Sequence, residues 1–544
     1  MSYVAILLLR LLVLLLAAGC GGGGGGEAGG PNTQSLSLST GDVKQIATSN
    51  SQASVILETP GGEEYLHIVY TTTTQSGAHP FTLSSSAPSM VKRVPLVAVE
   101  RERGYAEARL QFDHFLRGEE RRMIEEGLLP SGAGIGRLFT LFKVQPGEQE
   151  TFFILDPRTR VFRQRTATAR TIRPHSVLFL DDAVILTPTL EGQIEQMVED
   201  FETIIHPRSE QLFGEESDVN NDGRITILVT SLLNGTGVAG FFLPSDLFLR
   251  DTDNPFSNEQ EILYVALPSS SLPLGLIEAT MAHEFQHLIN FQQKVLRRID
   301  QGLPNPPSED LWLNEALSHL AEDLTGFSED GDDLVNIVED YLEQVEFFSL
   351  ADNDAFGGSD TLQRRGAGYL FLRYLFEQAG GATYSSTDPA GITDRGGITF
   401  LRQLESSSHI GIDNIRTALR TVTNPFQQAS DPFQQAFAHW AVALFMDGTR
   451  LNTDPRFHFQ APEFDQITGQ RRGIDLRGTR EGRSGLVTLR GPHLQFFNSH
   501  REAVQSTGVA YILFQASPQG EDTTTITLRG NAESRLQLTV VRTE

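Results

Sequence analysis

An α+β fold is predicted by two contrasting patterns in the 544-residue chain. Towards both ends, runs of β-branched and aromatic residues such as Tyr65-Leu66-His67-Ile68-Val69-Tyr70 and Ala510-Tyr511-Ile512-Leu513-Phe514 are separated by Ser, Thr and Gly. Such runs suit a pleated, half-buried surface. In the middle, over 274–446, apolar residues recur at helical spacing instead. The length exceeds what one core ordinarily serves, so several domains are expected. The composition shifts divide the chain into a signal (1–20), a Gly-rich tether (21–34), an N-terminal β-domain (35–92), a helical linker (93–132), a central domain (133–470) and a β-sandwich-like C-terminal domain (471–544).

Composition narrows the function classes. A formal charge of -26 argues against nucleic acid or an anionic membrane surface as a partner of the body. The one cysteine, Cys20, leaves no intrachain disulfide and no thiolate metal site. It follows an apolar run over 6–16 and the small residues Ala17-Ala18-Gly19, the order of a bacterial lipoprotein signal that is cleaved before an acylated Cys. Ala17, where Leu is usual, and Arg10, inside the apolar run, depart from that pattern. A secretory signal with an incidental Cys and a transmembrane anchor are the other readings, although the run is short for a span. The lipoprotein reading makes the protein exported and held at the cell envelope by its lipid alone; the secretory reading releases it.

In chain order, the glycines from Gly21 to Gly26 cannot pack and form a flexible leash. Over 97–129, Leu110, Phe112, Phe115 and Leu116 recur near helical spacing among many Glu and Arg. The plainest reading is a surface helix joining two domains; an inhibitory pro-segment is the alternative, without a cleavage signal to support it. Strand-like runs return at 138–142 and 176–180, followed by a helical face of Leu190, Ile194, Met197 and Phe201. Asp218, Asn220 and Asp222, with Gly223 for the turn, match the first half of an EF-hand loop. Position twelve is Val229, so the bidentate carboxylate is missing, and both a structural Ca²⁺ site and a polar turn remain as readings. A strand over 261–267 then leads to the central helix.

That helix, over 274–298, carries His283-Glu284-Phe285-Gln286-His287. Two His four apart lie one turn apart on one face and can share a zinc ion, with Glu284 able to reach a metal-bound water. The metzincin continuation is absent, because Asn290 and Gln293 stand where Gly and His would be needed. A second helix, from about Ser308 to a stop at Gly326, has Leu311, Leu313, Leu317, Leu320 and Leu324 on its apolar side. Antiparallel packing would return Glu315 towards His283 and His287 as a third zinc ligand.

The phrases Ala282-His283-Glu284-Phe285-Gln286-His287-Leu288-Ile289 and Trp312-Leu313-Asn314-Glu315-Ala316-Leu317-Ser318-His319 resemble the gluzincin peptidases, and most closely the hyicolysin-type neutral metallopeptidases. The resemblance covers roughly 135–450 and implies a gluzincin-like layout: a β-rich upper lobe, a zinc helix and a mostly α-helical lower lobe, flanked by small β-domains. It further implies Zn²⁺ on His283, His287 and Glu315, with Glu284 as the base that takes a proton from water and returns it to the leaving amine. Glu322 is expected behind a ligand imidazole, His319 either there or as a polar neighbour in the cleft, and Tyr369 as oxyanion donor or as an aromatic of its own helix. Tyr341 and His439 are the other candidates for that donor. The substrate would be a protein or peptide. The competing function is a surface binding or adhesion lipoprotein with an inactive peptidase core, and a metal-dependent hydrolase of another substrate is a third.

Overall fold

A computed structural model describes residues 33–90, 104–127, 144–303, 305–328, 333–351, 360–482, 485–497 and 501–544. The signal, Cys20, most of the tether and the strand expected over 138–142 lie outside the described residues. Among the described residues no helix is long and apolar enough to cross a membrane.

The fold is mixed α+β. Its central sheet has six strands, in the spatial order Gly240–Phe242, Ile262–Val265, Ile225–Val229, Ser176–Asp181, Val161–Ile172 and Gln149–Asp156. The second, third and fourth run parallel and the others antiparallel. Every residue of Ile225–Val229 and Ile262–Val265 is buried, as strands covered on both faces must be. Gly240–Phe242 is an edge strand, and a long helix packs along it.

The helices that matter below are α1 (Gly104–Glu125), α2 (Leu274–Phe291), α3 (Leu311–Thr325), α4 (Asp333–Leu342), α5 (Leu362–Gln378), α6 (Gly397–Ser406) and α7 (Pro432–Met446). Beyond Phe291, α2 continues through a π-helical turn, Gln292–Leu296, into Arg297–Asp300, so the helix expected over 274–298 forms along its whole length. Helix α3 stops at Gly326, whose left-handed φ of 94° closes it as the sequence predicts. Helices α4 to α7 build a lobe around the buried Trp440, which meets Phe371, Phe437 and Tyr341 at ring distances of 5.3, 5.3 and 6.1 Å.

Two expectations are corrected. The segments read as separate N- and C-terminal β-domains interleave in one sandwich. One sheet runs Thr33–Leu36, Gln52–Glu58, Thr523–Gly530, Ala78–Ser85, Arg501–Gln505; the other runs Gln495–Phe496, Val509–Gln515, Glu64–Tyr70, Gln537–Arg542, Val43–Ile46. Strand Glu64–Tyr70 explains the arrangement: Tyr65 and Val69 face the sandwich interior, while Leu66, Ile68 and Tyr70 on the opposite face pack on the helical lobe. A strand buried on both faces needs neighbours on both edges, and only the C-terminal segment supplies them. The second correction concerns α1, expected as a surface connector. Phe112, Leu116, Arg109, Asp113, Arg117 and Glu120 are all buried against the central domain.

Candidate metal centre and active site

Helix α2 is apolar on most sides and buried from Leu276 to its end, with the edge strand on one flank and α3 on another. A helix enclosed this way can keep polar side chains only where partners meet them. His283, Glu284 and His287 lie on its enclosed surface, at 0, 3 and 2% exposure. Antiparallel packing of α3 brings Glu315 opposite, so that His283 Nε2 stands 3.5 Å from Glu315 Oε2 and His287 Nε2 stands 3.6 Å from Glu315 Oε1.

These atoms fit a metal ion. His283 Nε2 and both Glu315 oxygens are buried without a hydrogen-bond partner. Ligands of one tetrahedral zinc, at its usual bond lengths, stand about 3.4 Å apart. The three residues form one of two groups among the described residues whose donor atoms converge within 4.8 Å. The other group, His283, His319 and Glu322, fits less well: His283 Nδ1 lies 2.7 Å from Glu322 Oε1, a hydrogen-bonding separation too short for two ligands of one ion. Both imidazoles therefore turn Nε2 towards Glu315 and anchor Nδ1 behind. His287 Nδ1 meets Asn314 Oδ1 at 3.0 Å and Ser318 Oγ at 3.1 Å. A carbonyl or carboxylate on Nδ1 fixes the proton there and frees Nε2 as a lone-pair donor.

Charge around the cluster follows from burial and from its ion pairs. Burial and Arg109 oppose a charged His283, yet Glu315 and Glu322 outweigh both and raise it to about 9. Burial, reinforced by Arg117, holds His287 neutral well below the usual imidazole range. Burial also opposes the Glu315 carboxylate, but Arg365 and the two imidazoles keep it well below the ordinary carboxyl value. Arg365 Nη1 lies 3.0 Å from Glu315 Oε2 and 3.0 Å from Asp113 Oδ2, and its Nη2 lies 2.7 Å from Asp360. Glu284 is raised to about 7 by burial, with Asp113 adding to the effect. Its Oε2 accepts the backbone N–H of Phe242 at 3.1 Å, which ties the carboxylate to the edge strand.

The remaining expected residues divide. Glu322 and His319 join the cluster: His319 Nδ1 lies 3.0 Å from Glu322 Oε1, and its ring lies 4.8 Å from that of His283. Tyr369, Tyr341 and His439 do not join it. The Tyr369 hydroxyl donates to Asp323 at 2.9 Å, in a buried network with Arg373, so its geometry departs from that expected of an oxyanion donor. Tyr341 stacks on Trp440, and His439 pairs with Gln435 beside Phe426 and Phe457. In the loop of Asp218, Asn220 and Asp222 the side chains cap the loop's own backbone: Asp218 Oδ1 accepts from the N–H groups of Asp222 and Gly223, and Asn220 Oδ1 from that of Asp222. These are the bonds of a polar turn.

Asn314, Ser318, Arg365 and the charged residues of α1 were absent from the expected site. Ser318 carried a signal, since it stands three residues after Glu315 on the same helix face, and Asn314 stands one turn before Ser318. Arg365 carried only its place before Gly366-Ala367-Gly368. A Cβ on Gly366 would stand 2.1 Å from the Ile337 carbonyl oxygen, and one on Gly368 would stand 2.9 Å from Ala316 Cβ. The two glycines let α5 close on α4 and α3, and that approach delivers Arg365 to Glu315.

No known protein family's profile matches the chain. Over 214 residues, 35% of this chain, it is 29% identical to the neutral metalloprotease ShpI of Staphylococcus hyicus. That likeness supports a metallopeptidase relationship. The match spans 43% of the relative's own length, less than half of it. The His/Glu cluster of this chain is, independently, a group that could hold a metal ion.

Proposed function

We propose that the protein is a zinc-dependent endopeptidase acting on proteins outside the cytoplasm, tethered through Cys20 in the lipoprotein reading. The observation that carries this reading is the convergence of His283 Nε2, His287 Nε2 and Glu315 at ligand separation, with both Nδ1 atoms anchored behind. Zinc held there would supply a Lewis acid for the scissile carbonyl and lower the pKa of a bound water to about 7. His283, His287 and Glu315 would hold the ion, and Glu322 and Asn314 would keep the imidazoles turned towards it. Glu284, raised towards neutrality by its burial, takes a proton from the attacking water and delivers it to the departing amine. The edge strand Gly240–Phe242 orients an extended peptide through main-chain hydrogen bonds.

Purified wild type and Glu284→Gln should bind equal zinc, while casein cleavage falls by about 10²–10⁴-fold in the variant, the ordinary worth of a general base. Absence of zinc from both proteins, or undiminished cleavage by the variant, would overturn the reading.

A further inference from the structure

Among the described residues His283, Glu284, His287 and Glu315 are all buried, and α1 is one of the elements packed over them. On the buried face of α1, Arg109, Asp113, Arg117 and Glu120 follow one another at three- and four-residue steps. A helix docked only for packing would turn an apolar stripe inward. This one inserts alternating charges, which burial disfavours unless each finds a partner. The partners are the groups of the metal cluster and its surroundings. Arg109 Nη2 lies 3.7 Å from Glu322 Oε1, the carboxylate that anchors His283. Asp113 meets Arg365, which itself touches Glu315. Arg117 pairs with Glu120 and reaches the Phe242 carbonyl oxygen at 3.4 Å.

The contact with Phe242 decides what the helix blocks. Phe241 faces Tyr264 of the neighbouring strand, and the Ala239 carbonyl accepts the Ala266 N–H, so the N–H and C=O of Phe242 point out from the sheet edge. An added peptide strand would bond to those two groups. Both are taken, the N–H by Glu284 and the C=O by Arg117, while Phe112 sits edge-on against Phe241 at 5.3 Å.

We propose that α1 is the resident occupant of the substrate groove, so that the intact chain is self-inhibited and an extended peptide enters only after α1 leaves. The proposal rests on the peptidase reading of the same site. Occupancy by α1 lowers the fraction of molecules able to bind a ligand at the metal, and apparent affinity falls by that fraction.

The test keeps the full chain. Recognition sequences for a heterologous site-specific protease are placed within 91–103 and 128–143, and the zinc-loaded, folded protein is cut on both sides of α1. For an open state populated at the usual 0.1–10%, release of the helix should strengthen binding of a dipeptide hydroxamate by about 10–1,000-fold. Loss of zinc to 1,10-phenanthroline should accelerate in parallel, and added synthetic peptide 104–125 should reverse both effects. Where α1 stays bound after cutting, Phe112→Asp with Leu116→Asp in the cut protein loosens it, and size exclusion reports its departure. Unchanged hydroxamate binding and zinc loss once α1 has gone would overturn the proposal, as would casein cleavage by the intact chain equal to that of the cut one. A freed site that binds hydroxamate but leaves casein intact would sink the peptidase reading and leave self-occlusion standing.

Discussion

At the scale of single residues, the cluster separates atoms that could hold a metal from those that aim them. Glu322→Gln keeps the shape but removes the charge that fixes Nδ1 of His283. Zinc affinity should fall by about 10–100-fold, the usual cost of losing such a partner, in competition against a chromogenic chelator. Asn314→Ala should act in the same direction through His287. His283, His287 and Glu284 were legible because helix geometry alone sets their relation, and Glu315 was legible because an apolar stripe dictates how α3 must face α2. Arg365 and Arg109 were not. Their roles exist only where α1, α3 and α5 meet, and no periodicity within one segment encodes that meeting. Tyr369 shows the converse: its type and place on a helix suited an oxyanion donor, but its hydroxyl donates to Asp323, which Arg373 also holds.

At the scale of elements, α5 acts as a wedge whose fit depends on having no side chain at two positions. Gly368→Leu would collide with Ala316 and push α3 aside, with an overpacking cost of about 1–3 kcal/mol. The melting temperature and the zinc content should fall together, since α3 carries Glu315. Another inter-element tie joins α6 to α2, where Glu405 accepts hydrogen bonds from Gln286 and Asn290. Burial, with Glu309 adding to it, raises Glu405 from 4.5 to about 8. Between those values the folded protein keeps a proton that the unfolded chain has lost. The stabilisation is therefore complete below the unfolded value and disappears as pH rises through about 8. Glu405→Gln removes this term, so in thermal melts the variant's midpoint should decline less than that of wild type as the pH is raised from acid to alkaline.

At the scale of the whole molecule, the sandwich built from both ends makes the terminal segments inseparable. Deleting 501–544 would remove both neighbours of strand Glu64–Tyr70 and strip the other sheet of Thr523–Gly530. Size exclusion and far-UV circular dichroism should show aggregation and loss of sheet, whereas deleting an independent accessory domain would leave a well-behaved core. His67, buried between Phe497 and Phe514, adds an acid limit: burial lowers it from 6.5 to about 4. Its contribution is present above the unfolded value and lost as pH falls through about 4, so His67→Phe should move the acid-unfolding midpoint of the sandwich to lower pH. The strands themselves were readable as short β-branched runs; their pairing was not, because register between segments more than 400 residues apart leaves no mark in either one. The same arrangement sets an order of assembly. Glu64–Tyr70 is made early and stays without its edge partners until Val509–Gln515 and Gln537–Arg542 emerge. Once the intervening region has folded, its two ends arrive close together and the entropy of joining them is small. The sandwich is thus a clasp that cannot shut until Gln537–Arg542 has been made.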